Sequence, residues 1–222
     1  RAAEDELLKA GVDPNRIHII PDAVDARRFA GATPDRRNVR SDEVMVLCAG
    51  ALSAEKDHET LLKAWKKVEV AGLKARLLIA GTGSLEGELK SLAASLDLRQ
   101  VSFLGWVENM PGLIAGADIA VLSSRIEGLA SFLCEAQFCG VPVVSTAAGG
   151  TVDAVRDGET GLLSPSGDDA AFAENLKRLI GNAELRAEMG SAARNWARGK
   201  FALEPVLQAH RDLYRQVLDA KS

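Results

Sequence analysis

The sequence predicts an α/β fold, a doubly wound and mostly parallel sheet with helices on both faces. Three observations predict it. Short runs of consecutive Val, Ile and Leu, rather than alternate ones, mark strands covered on both sides. Between them lie stretches whose apolar residues recur every three or four positions, the spacing of an amphipathic helix. The two kinds alternate along the chain, which is the pattern of parallel crossovers.

The first strand is expected at Ile17–Ile20, and the polar stretch Ala26–Asp42 reads as a surface loop. Val44–Ala49 is the first central strand, and His58–Val70 follows as a helix with Leu61, Leu62, Trp65 and Val68 on one face. Arg76–Ala80 is the next strand, and Leu85–Leu96 the next helix, with Leu85, Leu89, Leu92 and Leu96 aligned. Strands Val101–Leu104, Asp118–Leu122, Val141–Ser145 and Gly161–Leu163 come next, before two long amphipathic helices at Glu184–Arg198 and Glu204–Leu218.

With 222 residues the chain fits one large domain, at about 150 residues per domain. We read 1–222 as a single domain with its core between about 15 and 200 and a closing helix in 201–222. Hydrophobic residues at 47% and charged residues at 26% exclude disordered and fibrous classes. Lys and Arg number 27 against 31 Asp and Glu, a net charge of −4, which argues against a nucleic-acid partner. No apolar stretch is long enough for a membrane span. The chain starts at Arg1 without a Met or a signal run, so it is expected to be a piece of a longer protein.

Cys48, Cys134 and Cys139 form no metal-ligand pattern, and their odd number argues against a disulfide framework. They read as small buried hydrophobes in a reducing compartment. His18, His58 and His210 are dispersed, and His18 reads as packing on its apolar strand. Trp65, Trp196, Phe29, Phe172 and Phe201 read as core or as anchors for the last helices. Arg125 is either a site residue or a surface salt bridge.

In sheets of this kind ligands bind beyond the carboxyl ends of the strands. Every central strand is followed there by Gly or by small hydroxyl residues: Gly50–Lys56, Gly81-Thr82-Gly83, Gly105-Trp106, Ser123–Gly128 and Thr146–Thr151. Small residues let backbone N–H groups approach a ligand, although turns also favour Gly. A dinucleotide fingerprint fails, because Glu86 stands where its third Gly belongs and no acid follows the next strand. No Gly-Lys-Ser/Thr P-loop occurs.

Glu127 and Glu135 stand out, eight positions apart. If both lie along one helix, that is about 12 Å, against about 5–9.5 Å for a glycosidase pair. The spacing suits two contacts on one elongated ligand, or an ordinary cap acid and a solvated helix acid. Glu135 is the harder to dismiss as solvated, because its neighbours Phe132, Leu133, Cys134, Ala136 and Phe138 are apolar.

Glu127–Ala136, followed by Gly140–Thr146 and Gly149-Gly150, resembles the donor-site signature of family 4, or group 1, glycosyltransferases with the GT-B fold. Upstream, Pro21–Asp25 and Gly50–Lys56 are similar to further motifs of that family. Ile79–Gly83, Val101–Gly105, Ala117–Ser124 and Asp157–Leu163 follow in the family order. The resemblance implies the C-terminal, Rossmann-like half of a GT-B enzyme, with the N-terminal acceptor-binding domain absent from this chain. It implies a retaining glycosyltransferase that moves a sugar from a nucleoside-diphosphate sugar to an acceptor hydroxyl in glycan or polysaccharide synthesis. The isolated domain would then be inactive. It further implies a cytoplasmic protein, peripheral at the inner membrane face when full length, with no cofactor beyond the donor substrate and no protein-bound metal.

By the same resemblance, Glu127 and Lys56 are the catalytic residues: Glu127 contacts the donor sugar and Lys56 the departing diphosphate. Glu135 would hold the ribose hydroxyls. The N–H groups of Gly128, Leu129 and Ala130 would hold the diphosphate, and Gly50, Gly81, Gly105 and Trp106 would border the nucleotide. An ionised carboxylate suits a vicinal diol, and a helix start suits an anion. The sequence departs from the pattern at Ala51, where the family has an arginine on the diphosphate. Asp22-Ala23, Ser123, Ala130 and Asp153 are lesser departures. Ala51 keeps two alternatives in view, a degenerate GT-B domain used for interaction and a GT-B nucleotide-sugar epimerase.

Overall fold

A computed structural model describes residues 2–219. Residue 1 and the last three positions of the expected closing segment, 220–222, lie outside the described residues. The chain begins with helix α1 (Ala2–Lys9) and reaches the sheet only at strand β1 (Val44–Ala49). Helix α2 (His58–Val70), strand β2 (Ala75–Ala80), helix α3 (Glu86–Ser95) and strand β3 (Val101–Gly105) complete the first half. Helix α4 (Met110–Gly116) crosses to strand β4 (Ile119–Leu122). Helix α5 (Ser131–Phe138), strand β5 (Val143–Thr146), the short helix α6 (Thr151–Ala154) and strand β6 (Gly161–Ser164) complete the second. Helices α7 (Asp169–Ile180), α8 (Ala183–Phe201) and α9 (Leu203–Asp219) close the chain.

The six strands lie in the order β3-β2-β1-β4-β5-β6, and every pairing is parallel. Right-handed crossovers in that order send the helices of the two halves to opposite faces. Helices α2, α3 and α7 pack together, as do α4, α5 and α8. The consecutive apolar residues of the central strands are buried, as Met45, Val46, Leu47, Ile119, Val121, Val143 and Val144 show at 0% exposure. Trp65, Phe172 and Phe201 are the largest fully buried side chains. Trp196 and Phe29 pack against this core partly buried.

One expectation needs correction. Ile17–Ile20 forms no strand: the run has no partner in the sheet, Ile19 is 56% exposed, and His18 is exposed rather than packed. An apolar tetrapeptide remains extended chain when no sheet edge receives it. Glu127 lies in the loop before α5, which starts at Ser131, so the helical separation of about 12 Å does not describe the two glutamates. The expected strands after Ile17–Ile20 and the four expected helices all appear, with ends shifted by three residues at most. Cys48 and Cys134 are buried as expected, and Cys139 is half-buried. Among the described residues no helix is long and apolar enough to cross a membrane.

Candidate functional site

Strand order reverses between β1 and β4, and ligands of doubly wound sheets bind in the crevice at that switch point. The loops leaving these two strands are tied together. Ser123 Oγ shares its proton between the carbonyl oxygens of Lys56, at 3.0 Å, and Asp57, at 2.9 Å. The Arg125 amide donates to the Glu55 carbonyl at 2.8 Å. Arg125 Nε donates to Asp57 Oδ2, also at 2.8 Å. Arg125 is therefore a salt-bridge residue. Its partner Asp57 takes the left-handed conformation, φ 45°, and caps α2 by accepting from the Thr60 amide.

Across this joint, Lys56 Nζ forms an ion pair with Glu127 Oε1. Ser124 Oγ donates to the same oxygen at 2.7 Å. The Glu127 side chain is 6% exposed and that of Lys56 25%, so the pair is only partly screened by water. The Glu127 backbone is held from below. Its carbonyl accepts from the Gly150 amide at 2.9 Å. A Cβ on Gly150 would lie 1.7 Å from the Gly128 carbonyl oxygen, and one on Gly149, at φ +52°, 2.2 Å from that of Glu127. The Gly149-Gly150 pair is what allows the two loops to touch. Among the described residues, the N–H groups of Gly128, Leu129 and Ala130 donate no hydrogen bond. Three unspent donors just ahead of a helix start are groups an anion could satisfy.

Glu135 sits in the second turn of α5 and borders a cavity of about 450 Å³. Gly50, Ala51, Gly81, Trp106 and Phe132 border it too. Gly81 lets β1 and β2 end side by side there, since at φ +137° its Cβ would stand 1.9 Å from the Gly50 carbonyl oxygen. The Gly81 amide donates to the Gly105 carbonyl at 2.8 Å, which places Gly105 behind the wall. Trp106 is 82% exposed, a bare indole beside the opening. A second cavity, about 470 Å³, is lined by Glu127, Gly128 and Leu129. Ala130 is 2% exposed and offers only its backbone. Of the residues expected from sequence, Glu135, Gly50, Gly81 and Trp106 border the first cavity and Glu127, Gly128 and Leu129 the second, whereas Gly105, Ala130 and Lys56 border neither, Lys56 being joined to the second through Glu127.

Sequence reasoning missed two participants. Arg28 Nη1 meets Glu135 Oε1 at 2.5 Å, from 107 positions away. Ser124 steadies Glu127. The only hint of Arg28 was its place three residues after the Pro21–Asp25 motif.

Burial sets the protonation of the groups beneath the site. It pushes the Cys48 thiol up to about 12, against the smaller pull of Lys56. That leaves a thiol and not a nucleophile. Burial lowers His58 to about 4, with Lys56 adding to the effect. Its imidazole, 2% exposed, is neutral, and neither ring nitrogen has a partner among the described residues.

The parallel sheet of order 3-2-1-4-5-6, with loops meeting at the switch point, is the Rossmann-like half of a GT-B fold. The chain belongs to the family described as glycosyl transferases group 1, whose model matches residues 32–196. It is similar to a GDP-mannose-dependent monoacylated alpha-(1-6)-phosphatidylinositol monomannoside mannosyltransferase of Corynebacterium glutamicum, at 32% identity over 87% of this chain and 54% of that protein. It is also similar to the D-inositol 3-phosphate glycosyltransferase of Geodermatophilus obscurus, at 33% identity over 90% of this chain and 47% of that protein. The chain therefore spans about half the length of the curated relatives it matches. Among solved structures, the Anabaena HepE protein in complex with UDP and glucose superposes with a TM-score of 0.81 at 21% identity, covering 98% of this chain and 61% of that one. A glycosyltransferase from Rickettsia africae gives a TM-score of 0.86, also at 21% identity, over 97% and 61%.

Proposed function

We propose that this chain is the donor-binding half of a retaining glycosyltransferase that takes a sugar from a nucleoside-diphosphate sugar. The observation that carries the reading is the meeting of Lys56, Glu127 and the amides of Gly128–Ala130 at the switch point of the sheet. Glu135 lies on the next turn of chain, at the wall of its own cavity. In this reading the diphosphate rests on the three amides, and Glu135 accepts hydrogen bonds from the ribose hydroxyls. Gly50, Gly81 and Trp106 border the base, with Gly105 behind them. As the glycosidic bond breaks, negative charge gathers on the leaving diphosphate, where Lys56 and the amide cradle meet it. Glu127 then exchanges part of its hold on Lys56 for the sugar hydroxyls. The acceptor would be supplied by a second domain outside this chain, and the full-length protein would work at a membrane surface or on a soluble acceptor. Family membership and relatives that are named as sugar transferases support this reading.

Calorimetric titration with UDP and GDP tests it. Binding of either with a submillimolar Kd, weakened at least tenfold by Glu135→Ala, is the expected result. Folded protein that binds neither at millimolar concentration would overturn it.

Ala51 favours a second reading, a GT-B domain retained for interaction after donor binding was lost. It stands on the cavity wall where the family signature has an arginine. If Ala51→Arg creates nucleotide binding that the natural chain lacks, this second reading stands.

A further inference from the structure

The helix carrying Glu135 does nothing to hold it. Its neighbours Leu133, Cys134 and Ala136 are buried at 1% exposure or less, and no residue of α5 donates to its carboxylate. A glutamate with three free torsions loses rotamer entropy when a ligand fixes it. Here Arg28 fixes it beforehand: Nη1 lies 2.5 Å from Oε1 and leaves Oε2 for another donor. Arg28 is itself anchored. It ends a helical turn, Ala26–Arg28, that Asp25 caps by accepting from the Arg27 amide. Just upstream, the Val24 amide donates to the Phe201 carbonyl at 2.7 Å, and Val24 pairs with Ala202 where α8 gives way to α9. The guanidinium therefore reaches Glu135 from a segment bolted to the frame of the domain.

We propose that Arg28 is a positioning residue for nucleotide binding: it locks Glu135 with one oxygen turned to the ribose. This rests on the reading of Glu135 as the ribose ligand.

The test is calorimetric titration of the 222-residue chain with UDP and GDP and with their 2′,3′-dideoxy counterparts. Wild type should prefer the ribonucleotide by about tenfold or more, the scale of a hydrogen bond to a charged group. Arg28→Ala, half-exposed and safe for folding, should lose most of that preference, as Glu135→Ala does. Arg28→Lys should restore much of it, since one N–H suffices for a single-oxygen contact. A merely structural role for Arg28 would weaken both nucleotides equally, and that result would overturn the proposal. So would an Arg28→Ala variant that discriminates like wild type while Glu135→Ala does not, which leaves the ribose reading intact. If Glu135→Ala also keeps the preference, or wild type binds no nucleotide, the ribose reading fails and the role of Arg28 falls with it.

Discussion

Lys56 and Glu127, 71 positions apart in the chain, form an ion pair across the switch point of the sheet. Lys56 comes from the loop after β1 and Glu127 from the loop after β4, so the pair exists because those two strands are neighbours. A ligand anion and a ligand hydroxyl can take over the two ends of that pair without leaving either charge bare. In the proposed reading, the contact that preorganises the site is the one a ligand would replace.

Removing one end should be felt in stability as well as in binding. Lys56→Ala leaves the nearly buried Glu127 carboxylate with Ser124 as its remaining side-chain partner. We expect a loss of about 1–3 kcal/mol, read as a lowered urea midpoint at unchanged m-value, together with weaker UDP or GDP binding. An unchanged midpoint would show the pair to be dispensable to the fold.

Gly150 and Gly128, both near Glu127, should respond differently to a methyl group. Gly150→Ala drives a Cβ against the Gly128 carbonyl oxygen, for an expected cost of about 1–3 kcal/mol and displacement of the amide cradle. A Cβ on Gly128 meets nothing within 4 Å, so Gly128→Ala should stay within about 0.5 kcal/mol of wild type. Equal effects in thermal unfolding would refute this packing account.

His58 makes stability depend on pH. Its folded value, about 4, lies below the ordinary 6.5 because burial disfavours the cation. The unfolded chain therefore binds the proton more readily, and acid favours unfolding. The full contribution of His58 is present above 6.5 and is lost as pH falls towards 4, a swing of about 3 kcal/mol. His58→Gln should flatten denaturation midpoints across that window. A wild-type slope that survives the substitution would assign it to other groups.

The thiols should be inert in the native protein. Burial raises Cys48 and Cys134 to about 12 and Cys139 to about 11. At pH 8 the native chain should react negligibly with an aromatic disulfide reagent, whereas the unfolded chain should release three thiols. Rapid labelling of native protein would contradict the packing beneath the site.

Much of the fold was legible because burial leaves a local mark. A strand such as Val44–Ala49, covered on both faces, must be apolar at successive positions, and α2 must repeat its apolar residues every three or four. Ile17–Ile20 carries the same mark without the outcome, since a strand also needs a neighbour and local composition cannot supply one. The site was legible as motifs at strand ends, with Glu127, Gly128 and Leu129 brought to one cavity and Gly50, Gly81, Trp106 and Glu135 to another. Spacing could not fix the relation of the two glutamates, because Glu127 stands in the loop before α5, where it pairs with Lys56.

By itself the sequence determined the class of fold, the family, and which residues stand at the carboxyl ends of the strands. Only the tertiary structure decided that Lys56 holds Glu127, that Arg28 holds Glu135, and that Gly149-Gly150 presses on the loop between β4 and α5. The reason is physical: hydrophobic periodicity acts over a few residues, whereas ion pairs and close backbone contacts depend on which strands lie side by side. That order is set when the whole sheet buries its two faces at once.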